Sequence, residues 1–125
     1  MILFMDDCPD RVKIFMSYHP RAVIMKSSKT MIELLSQVKP IQYLFLDHDL
    51  FGDEAYVPGK VDGTGMEVVE WLENNKLEIY QIVVHSRNGH AAPKMLERLL
   101  AAGYWAIWCP FYDLLPQFER ARTKT

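Results

Sequence analysis

Short, nearly continuous apolar runs alternate five times with longer segments of helical period, and few folds accommodate that alternation. The runs fall at residues 2–5, 22–25, 41–46, 79–84 and 104–108. Each lacks the polar–apolar alternation of a half-solvated strand, so each reads as a strand covered on both faces, the pattern of a parallel sheet. The segments between them are helical. The first has Pro9 in its opening turn and Val12, Phe15, Met16 and His19 at spacings of three, four and seven. The second has Thr30 and Glu33 as a capping box ahead of Leu34, Leu35 and Val38. The third carries Met66, Val69 and Leu72, and the fourth carries Leu96, Leu99 and Leu100 and stops at Gly103, a left-handed cap. The last follows Pro110 with Phe111, Leu114, Leu115 and Phe118. Strand and helix in strict alternation imply right-handed crossovers and helices on both faces of one sheet. The chain, residues 1–125, is therefore expected to form a single three-layer α/β domain with a five-stranded parallel sheet in the order 2-1-3-4-5.

At 125 residues one core suffices. The balance of 14 basic against 16 acidic side chains excludes a general polyanion-binding surface, so an extended nucleic-acid interface is not expected. The apolar runs are too short to cross a bilayer, Met1 leads straight into the first strand without a signal peptide, and two cysteines make no disulfide framework, so a cytoplasmic protein is expected. The connection from Asp47 to Gly63, rich in glycine, is long for a strand-to-helix loop and is a candidate lid.

In such a sheet ligands bind beyond the carboxyl ends of the strands, where the order reverses. Strand one ends in Asp6 and Asp7, and strand three in Asp47, His48 and Asp49. Neighbouring strands lie about 4.8 Å apart, which would bring Asp6, Asp7 and Asp47 within reach of one ion. Carboxylates so gathered repel one another unless a cation or shared protons neutralise them, and their oxygens suit magnesium or manganese. Asp7 is also expected to cap the first helix. Strand four ends in His85 and Ser86, beside Asp47 and His48. Two imidazoles at neighbouring strand ends have the pKa range for acid–base work on a phosphodiester. Strict alternation of side chains leaves two overlapping sets open: the carboxylates with Ser86, or His48 with His85.

Arg87, Asn88 and Gly89 then open the fourth helix, either as an anion site or as an Asn88 cap with a solvated Arg87. His19 reads as a helix-end residue, His90 as a surface residue, Cys109 as a small buried hydrophobe, and Trp71, Trp105 and Trp108 as core or interface.

The chain resembles, along essentially its whole length, the receiver domains of two-component response regulators, whose fold is flavodoxin-like. Asp6 and Asp7 match the family's metal-binding acids, Asp47 its phosphoacceptor, Ser86 its strand-four hydroxyl and Pro110 the proline after strand five. Three departures count against phosphoryl transfer to Asp47: Cys109 stands where receivers carry a lysine, Arg87 where they carry a small residue, and the loop after Asp47 is longer. The departures themselves resemble a divergent branch, the cyclic-phosphate processing receiver domains, through LDHDL at 46–50, GTG at 63–65 and VHSRN at 84–88.

This second resemblance implies action on cyclic phosphate diesters, such as RNA ends or cyclic nucleotides. His48, Asp49, His85 and Ser86 then join Asp6, Asp7 and Asp47 in the site. The expected protein is a metal-dependent phosphoesterase. Asp47, His48, Asp49 and His85 are its catalytic candidates, Ser86, Arg87 and Asn88 its substrate contacts, and Asp6, Asp7 and Asp47 the ligands of magnesium or manganese. A nucleotide or RNA terminal phosphate is the expected substrate. A non-enzymatic pseudo-receiver that binds a ligand or signals is the alternative, supported by the missing lysine. An interaction protein using a homodimer face around strand five draws no specific support from the residues.

Overall fold

In a computed structural model, which describes residues 1–50 and 61–123, five strands form one parallel sheet in the order β2-β1-β3-β4-β5. The strands are β1 (Ile2–Met5), β2 (Val23–Met25), β3 (Ile41–Leu46), β4 (Ile79–Val84) and β5 (Ala106–Trp108). The helices are α1 (Pro9–Tyr18), α2 (Ser28–Leu35), α3 (Gly65–Asn74), α4 (Ala91–Ala101) and α5 (Phe111–Thr123). The expected α/β architecture is the observed one.

The sheet divides the apolar side chains by parity. Leu3, Met5, Leu44, Leu46, Ile82 and Val84 pack on one face against Met31 and Leu35 of α2, Val69 and Leu72 of α3, and Met95 and Leu99 of α4. Phe4, Phe45 and Val83 pack on the other against Phe15 of α1 and Phe111 and Leu114 of α5. Pairing runs Phe4 to Phe45 to Val83 across the three central strands. That register decides what lies two residues further on.

Several local expectations shift. β2 begins at Val23 and remains half-buried throughout, because it is an edge strand with one neighbour. β5 is shorter than its apolar run: Tyr104 turns its side chain toward α3, where its hydroxyl donates to the Leu72 carbonyl at 2.9 Å. Met16 is exposed, since the stripe of α1 that faces the sheet is centred on Phe15.

The cap of α2 is Ser27, not Thr30. Ser27 has extended backbone and its hydroxyl accepts from the Thr30 amide at 3.1 Å, which starts the helix one turn earlier than the Thr30–Glu33 pair suggests. Nor does the cap position of α1 fall on Asp7. The cap position falls on Cys8, whose side chain makes no capping bond, and the Cys8 amide instead donates to Asp6 Oδ1 at 2.9 Å.

Gly103 does end α4 in the left-handed region, with φ of 92° and its amide on the Leu100 carbonyl. The two glycines of GTG have separate jobs. Gly63 takes φ of 80°, while at Gly65 a Cβ would lie 1.9 Å from the Asp47 carbonyl oxygen. Between them Thr64 caps α3 through the Met66 amide. The glycine-rich centre of the candidate lid, 51–60, lies outside the described residues. Among the described residues, no helix is long and apolar enough to cross a membrane.

Candidate active site

The ladder continues one residue past each strand. The amide of Asp47 donates to the Met5 carbonyl, that of His85 to Leu46, and that of Cys109 to Val84. Asp6, Asp47 and His85 thereby extend the aligned row of Phe4, Phe45 and Val83, and all three side chains emerge on the α1/α5 face. All are buried. Their ligating atoms lie within 4.8 Å of one another, the one such group among the described residues. Asp7, half-buried at the entrance to α1, is outside it.

The cation that reconciles these acids belongs to the chain. Arg11, in the first turn of α1, donates from Nε to Asp6 Oδ2 at 2.7 Å and from Nη2 to Asp6 Oδ1 at 2.9 Å, and Nη2 also reaches Asp47 Oδ2 at 3.4 Å. A forked, charge-assisted pair of this kind is strong and fixes both partners. Arg11 was not legible as a site residue from motif matching. Its signal was an anomaly: a cation in the first turn of a helix opposes the dipole and needs a partner.

His85 Nε2 lies 3.1 Å from Asp6 Oδ2, while Nδ1 is buried with no hydrogen-bond partner. Assigning the Nε2 proton to Asp6 leaves Nδ1 as the atom able to accept one. The ring stacks on Phe4, with centroids 4.7 Å apart and planes inclined by 15°, and Phe111 meets it at 6.1 Å. The Phe111 amide also donates to the His85 carbonyl at 3.0 Å. This imidazole is therefore held by α5 as well as by its own strand.

The two carboxyls titrate in opposite directions. Burial pushes Asp6 up, but hydrogen bonds from His85 and Arg11 outweigh it and hold the group at about 2. Among the described residues Asp47 accepts only the His48 amide at 2.9 Å and the long Arg11 contact, and burial dominates and lifts it to about 6. Asp47 is thus the carboxyl poised to exchange a proton near neutrality.

His48 follows the opposite parity. Its carbonyl accepts from the Gly65 amide at 2.9 Å, and its Nδ1 lies 2.6 Å from Asp49 Oδ1, which also accepts from Asn88 Nδ2 at 3.3 Å. Asn88 Oδ1 in turn takes the amides of His90 and Ala91 at 3.0 and 2.9 Å. The cap position of α4 falls on His90, and the Asn88 side chain takes two of the amides at the start of the helix. Ser86 accepts the Asn88 amide at 3.1 Å, and its carbonyl is held by Trp108 Nε1 at 2.8 Å. Asp49, Asn88 and Ser86 form a strut between the two loops.

A cavity of about 260 Å³ opens above the row; Arg11, Asp47, His85, Ser86, Arg87 and Asn88 are among its walls. Neither expected set assembles as drawn. The carboxylates meet His85, Ser86 is a buried wall of the cavity, and His48 is not among the walls formed by the described residues. Cys109 is half-buried, and burial raises its thiol, which disfavours a thiolate. His19 caps the end of α1, and His90 is exposed beside Lys94.

No curated protein and no solved structure matches the chain. The family model described as the cyclic-phosphate processing receiver domain matches residues 1–101, from β1 to the last residue of α4, and includes every member of the aligned row. With most of its length so matched and the fold of a receiver around the site, the chain belongs to the cyclic-phosphate processing receiver domain family.

Proposed function

We infer that the protein is a phosphoesterase that opens cyclic phosphate diesters. One observation carries the reading. A buried row of two carboxylates and an imidazole lies beneath a cavity that Arg11 and Arg87 also line, so proton-moving groups and anion-binding groups share one small space.

In this mechanism the guanidinium groups of Arg11 and Arg87 receive the phosphate oxygens. His85, oriented by Asp6, takes a proton from the attacking water. Water oxygen bonds to phosphorus, one ring P–O bond breaks, and the departing oxygen takes a proton from Asp47, which burial keeps partly protonated near pH 6. The Asp49–Asn88 strut positions His48 and the Ser86 loop, and Asp49, Asn88 and Ser86 also line the cavity that receives the substrate.

Asp6, Asp47 and His85 are also the residues that would hold a divalent ion. Two carboxylates and an imidazole fit manganese better than magnesium, which prefers oxygen throughout. Such an ion supplies Lewis acidity at the phosphoryl oxygens when bound. It would share Asp6 with Arg11, whose two hydrogen bonds already take both oxygens of that carboxylate.

The test is turnover of RNA ending in a 2′,3′-cyclic phosphate and of cyclic mononucleotides, with EDTA, magnesium or manganese. Hydrolysis is expected, with the ion series reporting metal dependence. His85→Ala is expected to lower kcat by about 10²–10⁴-fold, the ordinary contribution of a positioned acid or base. Absence of turnover across the panel overturns the proposal.

A non-enzymatic pseudo-receiver is the second reading, favoured by the charge balance that Arg11 already provides at Asp6. Acetyl phosphate followed by mass spectrometry separates it from ordinary receiver chemistry: a labile adduct at Asp47 would restore the latter.

A further inference from the structure

The cavity above the row, at about 260 Å³, falls below the roughly 300–1,000 Å³ usual for small-molecule sites. It has room for a phosphate and little of what is attached to it. Arg87, however, is a wall shared with a second hollow of about 400 Å³, bounded further by Pro110, Tyr112 and Asp113. The two hollows share Arg87 as a wall.

That guanidinium is held toward the second hollow by an aromatic ring. Arg87 lies over Tyr112 with its central carbon 6.0 Å from the ring centroid, and among the described residues it has no carboxylate partner. Tyr112 is 45% exposed, and Phe111 buttresses it edge-on at 5.2 Å between centroids. Phe111 itself packs against His85. A continuous train of rings therefore runs from the reacting imidazole to an exposed phenol, with a cation at the junction.

Resting on the phosphoesterase reading of the same site, we propose that Tyr112 and Arg87 form a base-binding subsite and that the substrate is a nucleoside cyclic phosphate. The phosphate sits in the inner cavity, Arg87 spans the junction, and the nucleobase stacks on the exposed face of Tyr112. An aromatic platform beside a cation is the usual arrangement for holding a base without reading its sequence. It would be idle for a cyclic phosphate on an alkyl or polyol carrier. Tyr112 lies on α5, beyond the matched segment 1–101.

Two measurements test it independently of each other. In the first, binding of adenosine 5′-monophosphate and of ribose 5-phosphate is followed by calorimetry on the full chain, wild type, Tyr112→Ala and Tyr112→Phe. The nucleotide is expected to bind about ten-fold more tightly than the sugar phosphate, on the scale of one base–aromatic stack. Tyr112→Ala should abolish that advantage and Tyr112→Phe should keep it. In the second, kcat and KM are measured for a cyclic mononucleotide, an oligonucleotide with a cyclic-phosphate end, and glycerol 1,2-cyclic phosphate. Tyr112→Ala should raise KM for base-bearing substrates alone and leave kcat in place. A shift for the mononucleotide, the oligonucleotide or both identifies which source of the base the subsite serves.

Equal binding of nucleotide and sugar phosphate, no binding of either, or a Tyr112→Ala variant with unchanged preference overturns the subsite. Turnover with no base preference overturns the subsite and leaves the phosphoesterase intact. Tyr112-dependent nucleotide binding without turnover removes the enzyme and supports the subsite.

Discussion

Arg11 shows how one side chain can determine what a cluster of acids becomes. Three acids from β1 and β3 suggest an ion, yet the folded chain uses two of them, pairs one with a guanidinium and leaves the other to be raised by burial. Removing Arg11 would leave Asp6 buried with only His85 and the Cys8 amide beside it. Arg11→Ala is therefore expected to destabilise the protein by roughly 2–4 kcal/mol, somewhat less than a fully buried pair because the arginine side chain is 24% exposed. Arg11→Lys should recover only part of this, since an ammonium cannot reproduce the fork. Chemical denaturation of the three proteins measures both; equal midpoints would show that the pair carries no stability. At this scale most of the site was legible. Asp6, Asp47, His85, Ser86, Arg87 and Asn88 all stand at its walls or floor because strand ends point there. What was not legible is which way each side chain faces. His48 and Asp7 are neighbours of the right residues in sequence and lie outside the group.

At the scale of elements, the loops after β3 and β4 are held by their ends. Gly65 lets α3 start directly against the Asp47 carbonyl, and the Gly65 amide closes on His48. A methyl group there would have to move the backbone that carries Asp47. Gly65→Ala is expected to lower both the melting temperature and any activity, whereas Gly63→Ala, which meets no atom within 4 Å, should cost only the left-handed strain of about 1–2 kcal/mol. Thermal melts with a parallel activity assay distinguish the two, and a Gly65→Ala protein as stable and active as wild type would rule out the close approach. Similarly, Ser27→Ala should cost about 1 kcal/mol through the lost cap, while Glu33→Ala should cost little. Element boundaries were readable wherever a glycine or proline forced them, as at Pro9, Pro110 and Gly103. They were misread where serine and threonine compete for one cap, because Ser27 and Thr30 have the same local chemistry and the packing of Met31 and Leu35 decides the turn.

Across the whole molecule, the opposite shifts of Asp6 and Asp47 shape stability against pH. Asp6 is ionised in the folded state when the unfolded chain is protonated, so stability from this group is present above about pH 3.8 and is lost as pH falls toward 2. Asp47 is protonated in the folded state when the unfolded chain is ionised, so its contribution is greatest below about pH 3.8 and is lost as pH rises through 6. The second effect amounts to roughly 2–3 kcal/mol at 1.36 kcal/mol per unit. Metal-free protein is thus expected to lose stability between pH 4 and 6, and Asp47→Asn to remove that slope. Parallel curves for the two proteins would show that Asp47 is not raised.

By itself the sequence determined the number of strands and helices, their order, the parallel sheet and the strand ends at which chemistry could lie. These follow from periodicity and from turn chemistry, which act over a few residues. Tertiary structure alone decided that positions 6, 47 and 85 stand abreast on one face, that Arg11 folds back onto them from α1, and that α5 locks His85 from behind. Register between parallel strands is set by how helices pack over the whole sheet, and a slip of one residue would have put these side chains on the opposite face.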